Sequence, residues 1–143
     1  MLVRLAVRVH NGAMRELEEF VATFAAEHGL AAEDQTRTLI LLEELLTNLS
    51  RYGYPNQPEP DGVAEVTLEL VGNQLTIEFD DNGDAFDPLG EAKPDLNQPV
   101  ESRPVGGLGL HIVRELSDEA QYTRRNGRNV IRLSRHVSIS RTF

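Results

Sequence analysis

The sequence predicts an α+β fold, a two-layer sandwich with three helices packed on one mixed sheet. Three observations predict it. Five stretches carry the alternating or bounded apolar pattern of strands. Three others repeat apolar residues at helical spacing. Two short turns, Gly72-Asn73 and Asn126-Gly127, join strands that are adjacent in sequence. The resulting order is β-α-α-β-β-loop-α-β-β, with no internal repeat and no low-complexity segment.

The first strand spans 2–9, with Val3, Leu5, Val7 and Val9 on one face. Asn11 is a plausible cap for a helix whose apolar residues are Leu17, Phe20, Val21 and Phe24, running on to His28. Gly29 ends it. A second helix follows over 32–52, with a stripe of Leu39, Leu42, Leu45 or Leu46, and Leu49. The turn-rich 54–62 leads to strands at 63–71 and 74–80. The acidic, proline-bearing segment after Asp80 runs to Val105. A glycine-rich turn starting at Gly106 feeds the third helix. Strands at 120–125 and 128–135 flank Asn126-Gly127, and the tail 136–143 is left open between an added edge strand and a loose end.

The chain's 143 residues suit one domain over 1–143. A chain of that size buries roughly 68–70% of its unfolded surface. Its 40% hydrophobic and 26% charged residues are ordinary for a globular protein. A net charge of −9 argues against non-specific nucleic-acid binding and against an anionic membrane surface. The absence of cysteine excludes disulfides, thiolate metal sites and cysteine nucleophiles. No apolar run is long enough to span a bilayer, and the N-terminus alternates apolar and basic residues rather than forming a signal core, so a cytoplasmic protein is expected.

Three constellations are able to carry chemistry. Glu44, Asn48 and Tyr52 are spaced four apart, and each step of four turns only about 40° around a helix. A carboxamide oxygen is a ligand for a hard cation such as Mg²⁺. A carboxylate beside it can take a proton or orient a hydroxyl. Glu43 competes with Glu44, but its offset of five from Asn48 matches less well. The bland alternative is a solvated helix face.

The second constellation is the stretch FDDNGDAFDPLG, 79–90, which opens like a hairpin and then fails to supply a second strand. Asp81 can accept a bond from an exocyclic amine, and Gly83 allows a flat base to come close. Phe86 with Asp87-Pro88 anchors the turn, while Asp80 and Asp84 read as surface charges. An acidic surface turn is the alternative; the EF-hand spacing is missing, which weakens a Ca²⁺ reading.

The third is VGGLGLHIV, 105–113: Gly106, Gly107, Leu108, Gly109 and Leu110 place backbone amides ahead of a helix, a setting suited to phosphates. Neither the Rossmann nor the P-loop pattern is present, and a flexible lead-in is the alternative. Arg103 precedes these glycines and Lys93 is the only lysine; each either meets a phosphate or is solvated. The four histidines have no metal-ligand spacing, and Ser134, Ser138 and Ser140 lack a nucleophile-elbow context.

Taken in order, Glu44-x-x-x-Asn48, Asp81-x-Gly83 and Gly107-x-Gly109 resemble the three nucleotide-binding boxes of the Bergerat-fold ATPases. The wording EELLTNLSRYGYP, DDNGDAFDP and GGLGLHIVRELSDEAQYTRRNGRNVIRL is similar to the anti-sigma factor serine kinases of bacterial partner-switching systems. The resemblance covers roughly 11–133. It implies the histidine-kinase-like ATPase fold, with a mostly antiparallel sheet of about five strands and three main helices on one face. It further implies ATP and Mg²⁺ as cofactors and a serine kinase that phosphorylates an anti-sigma factor antagonist and sequesters a sigma factor or other regulator. A homodimer is expected on the same ground.

By the resemblance Glu44 is the general base and Asn48 ligates Mg²⁺. Asp81 binds the adenine amine beside Gly83 and Phe86. Arg103 and 106–110 cradle the phosphates, and about 88–105 form a short lid. The family often carries His where this chain has Tyr52. Three rivals stand beside it: a nucleotide-gated adaptor without catalysis, the catalytic domain of a sensor histidine kinase, and a structural domain that binds no nucleotide, which three ordered motifs disfavour. The second is disfavoured because only ten residues precede the first helix.

Overall fold

The computed structural model describes residues 2–10, 12–55, 61–89 and 112–140. Its elements are β1 (Leu2–Arg8), α1 (Ala13–His28), α2 (Ala32–Tyr52), β2 (Val63–Val71), β3 (Gln74–Asp81), β4 (Glu119–Arg125) and β5 (Arg128–His136). The sheet order is β1-β2-β3-β5-β4. Among the described residues every strand pairing is antiparallel, where a mixed sheet is expected from the sequence. A parallel neighbour would need a crossover. Here the long connection after β3 instead delivers β4 to the edge, and the hairpin turns β5 back against β3.

Local chemistry sets the boundaries. Gly29 ends α1 in the left-handed region at φ 69°, where a β-carbon is costly. Asn126 and Gly127, at φ 53° and 76°, form the hairpin turn, which puts Arg124 opposite Asn129. The cap expected at Asn11 lies outside the described residues. Beside it, His10 Nδ1 accepts a 2.8 Å bond from the Gly12 amide. The third helix is described only as a turn at 112–115, which buries Val113 completely.

The apolar stripes of α1 and α2 meet one face of the sheet. Leu17, Val21, Phe24, Leu41 and Leu42 pack with Val66, Leu68, Ile77, Phe79 and Leu133, all at most 1% exposed. The opposite face is polar. It carries Arg4–Glu65 at 3.3 Å, Arg132–Glu78 at 3.4 Å and the Arg128–Asp80 pair. Alternation along β3 therefore sends Asp80 to that face and Asp81 to the helix side.

The described part of the tail, up to Ser140, docks on the fold. Ile139 forms an isolated bridge with Leu30, and Val137 is 1% exposed. The Ser140 amide donates to Gly29 O at 2.7 Å and the Val137 amide to Asn73 O at 2.8 Å. A β-carbon on Gly29 would lie 2.3 Å from Ser140 O, so the same glycine ends α1 and admits the tail.

Candidate functional site

The chain leaves β3 at Asp81, and the C-terminal half of α2 lies over that point. Between them opens a cleft whose lining includes Asn48, Leu49, Asp81, Asp84, Phe86 and Asn129. Of the residues expected in the site, Asn48, Asp81 and Phe86 line it. Glu44 and Gly83 are not in its wall. Glu44 is one turn before Asn48 and partly buried. Arg103, Gly106, Gly107, Leu108, Gly109, Leu110 and the lid from 90 onward lie outside the described residues.

Asn48 is 4% exposed. Its amide Nδ2 donates to the Glu44 carbonyl at 2.7 Å, while its buried Oδ1 has no partner. An orphaned buried acceptor costs about 1–3 kcal/mol, a cost that a ligand atom bonded there would remove. The donor set fits Mg²⁺, which prefers oxygen and commonly binds through one or two protein ligands plus phosphates. Among the described residues no cluster of three or more His, Asp or Glu forms a metal site of its own.

Asp81 is 5% exposed. Its Oδ1 accepts bonds from the Gly83 amide at 2.9 Å and from Asn129 Nδ2 at 3.0 Å. Among the described residues both bonds end on Oδ1, and Asp81 lines the cleft. Burial pushes the carboxyl up from its ordinary range, and the bonds from Asn129 and Gly83 pull it back in part. Gly83 serves the packing of this turn. A β-carbon there would lie 2.9 Å from Leu49 Cδ1, 3.0 Å from Gly53 Cα and 3.1 Å from Asp81 Oδ1.

Asn82 closes the strand end. Its Oδ1 accepts from Tyr54 at 2.6 Å and from the Val63 amide at 3.0 Å. Phe86 stacks on Tyr52 with centroids 5.5 Å apart, and Asp87 Oδ1 accepts from the Leu89 amide at 2.8 Å. These contacts hold the turn as the residue types suggest. Asp84, read from sequence as a surface charge, is exposed but stands in the cleft wall.

Asn129 is the functional residue that sequence reasoning missed. It is 3% exposed, bonds Asp81, and also donates to Asp84 O at 2.8 Å and Gly83 O at 3.3 Å. The Asn126-Gly127 turn signals its pairing with Arg124. Nothing local signals its pairing with Asp81, 48 residues away.

A buried carboxylate at the end of a central strand and a carboxamide with an unpartnered oxygen on the covering helix line one cleft. The chain belongs to the histidine kinase-like ATPase domain family, whose profile matches residues 7–135. More particularly, it is similar to proteins named serine-protein kinase RsbW. That of Bacillus anthracis is 31% identical over 115 residues, 78% of this chain and 70% of the relative. That of Bacillus thuringiensis (strain Al Hakam) is 30% identical over the same shares.

Two solved structures share the fold at low identity. The RsbU and RsbW domains of Rv1364c from Mycobacterium tuberculosis align with TM-score 0.66 and 15% identity. That alignment covers 97% of this chain, which spans only 32% of the solved one. The catalytic domain of histidine kinase ThkA aligns with TM-score 0.53 and 14% identity, over 96% and 99% of the two chains.

Proposed function

We propose that this protein is an ATP-dependent protein serine kinase and anti-sigma factor. It phosphorylates an anti-sigma factor antagonist and sequesters a sigma factor or similar regulator. It acts as one domain over 1–143 and as a homodimer in the cytoplasm, without direct contact to nucleic acid or membrane. The observation that carries the reading is one cleft lined both by the buried carboxylate of Asp81 and by Asn48, whose buried Oδ1 has no partner. One suits an amine and the other a cation. Similarity to the serine-protein kinases supports the transfer step. The net charge of −9 agrees with the absence of nucleic-acid contact. Among the described residues no helix is long and apolar enough to cross a membrane.

In this reading Asp81 binds the adenine amine, and Phe86 and Asp84 line the same cleft. Arg103 and the amides of 106–110 hold the phosphates under the lid. Asn48 Oδ1 holds Mg²⁺, which supplies charge neutralisation on the phosphate oxygens. Glu44 takes the proton of the incoming serine hydroxyl. The test is incubation with γ-labelled ATP and the candidate antagonist. Label on an antagonist serine is expected; ATP binding with no label on any partner would favour the adaptor reading.

Asp81→Asn tests the base end. The Asn oxygen can keep the bonds from Gly83 and Asn129, which places its amino group where Oδ2 was. A donor then meets the donor amine. ATP affinity is expected to fall about ten- to hundredfold, the range for a bond to a charged group. Fold stability is expected to move the other way. A carboxyl whose folded pKa is raised contributes stability at low pH and loses it as pH rises through that pKa. At neutral pH the ionised Asp81 is therefore a cost that Asn removes. An apo melting temperature at or above that of wild type, beside weakened binding in calorimetry, is the expected pair of results. A large fall in melting temperature would show that Asp81 holds the fold instead.

A further inference from the structure

Helix α2 carries one side-chain stripe outside the cleft wall. Ile40, Glu44, Thr47 and Arg51 follow one another at steps of four, three and four. At about 100° per residue they fall within about 60° of one another around the helix. Asn48, which lines the cleft, lies about 40° round from Glu44. The stripe is therefore the border where the buried face of α2 gives way to solvent. Leu41, Leu45 and Asn48 are buried on one side of it, and Glu43 and Ser50 are exposed on the other.

The two ends of the stripe differ in chemistry. Ile40 is 36% exposed. Among the described residues the exposed large hydrophobic side chains are Leu2, Ile40, Val71 and Ile112, and of these Ile40 alone lies on α1 or α2. Arg51 is exposed. The other cation of α2, Arg37, pairs with Glu33 and Asp34, while Arg51 pairs with no carboxylate among the described residues. Singly, an exposed isoleucine or arginine is ordinary. Here the two stand on either side of Glu44, in line with it along the helix axis.

We infer that this stripe is the docking track for the protein substrate: an extended, serine-bearing segment with an apolar residue on one side of the serine and an acidic residue on the other. This rests on the kinase reading above, in which the acceptor hydroxyl has to lie against Glu44. An extended segment that delivers it there along α2 passes over Ile40 at one end and Arg51 at the other. Ile40 loses its contact with water when an apolar residue covers it. The guanidinium takes a carboxylate in a two-pronged bond. A chain of net charge −9 repels an acidic partner at long range, so an unpaired cation near the base supplies the local attraction. Ile40 lies about 6 Å before Glu44 along the axis and Arg51 about 10 Å beyond it. An extended segment advances about 3.3 Å per residue, which puts the apolar residue about two positions from the serine and the acid about three positions away on the opposite side.

The test is steady-state phosphorylation of the candidate antagonist with γ-labelled ATP, at varied salt. Ile40→Gln and Arg51→Gln are each expected to raise KM for the antagonist about fivefold, within the range for single surface contacts. The kcat and the ATP affinity are expected to stay within about twofold, because the lost contacts are equal in the ground and transition states. Wild-type KM should rise with salt. That rise should be much smaller in Arg51→Gln and kept in Ile40→Gln, since only one of the contacts is ionic. A merely structural role would move ATP affinity and leave the salt dependence alone. Glutamine is a good helix former and both positions are exposed, so both variants are expected to fold. An unchanged KM in either variant, an equal loss of ATP affinity, or a salt dependence that Arg51→Gln does not alter overturns the inference and leaves the kinase reading standing. No label on any partner with wild type overturns the kinase reading and this inference with it.

Discussion

Glu44→Ala is expected to bind ATP within about threefold of wild type and to transfer phosphate about 10²–10⁴-fold more slowly, the usual contribution of a general base. The structure makes this substitution clean. Asn48 is anchored by the backbone carbonyl of Glu44, at 2.7 Å, and not by its carboxylate. Alanine keeps that carbonyl and is the best helix former. The proposed Mg²⁺ ligand thus stays in place when the carboxylate goes. Glu44 is also outside the cleft wall and only partly buried, so no cavity is opened. Single-turnover label transfer to the antagonist, alongside an ATP-binding isotherm, separates the two quantities. Transfer at the wild-type rate would remove Glu44 from the role of base. Equal loss of binding and transfer would instead make it a residue of the binding site. Glu44→Gln provides the control, since it keeps the side chain's size while removing its basicity.

What the sequence made legible follows the range of each interaction. The strands and both long helices were readable because alternation and helical period are local. The hairpin turns were readable because glycine and asparagine tolerate positive φ. Strand alternation was enough to separate Asp81 from Asp80, although the choice between them first came from the spacing to Gly83. The unmixed sheet and Asn129 were not readable, and for one shared reason. Both depend on β5 pairing with β3 across the whole stretch 82–127, and no residue near Asn129 encodes the identity of its neighbour on that side. Glycine at 83 signals close approach, and its near neighbours within the chain are Leu49 and Gly53 of the helix end. A missing side chain reports that something comes near, not what it is.

Asp34→Ala is expected to destabilise the fold by about 3–5 kcal/mol, the range for removing one partner of a buried ion pair. Asp34 is 4% exposed and Arg135 8%. Asp34 Oδ1 accepts from Arg135 Nη2 at 3.2 Å, and Oδ2 accepts from the Ser138 amide at 2.8 Å. One carboxylate therefore ties the start of α2 to the end of β5 and to the tail. Removing it leaves a buried guanidinium with the Leu116 carbonyl at 2.8 Å as its remaining bonded partner among the described residues. Its Nε is already buried without one. The melting temperature should fall by on the order of 10 °C for a chain of this size. The tail amides Val137, Ser138 and Ser140 should lose protection in hydrogen exchange more than those of β2 or β3. Arg135→Met in the Asp34→Leu background should recover much of the loss, because two apolar groups leave no stranded charge. Recovery there separates the cost of an unpaired charge from a need for the tail contacts themselves. If the double variant is as unstable as Asp34→Ala, the Ser138 bond and not the ion pair is what holds this edge of the fold.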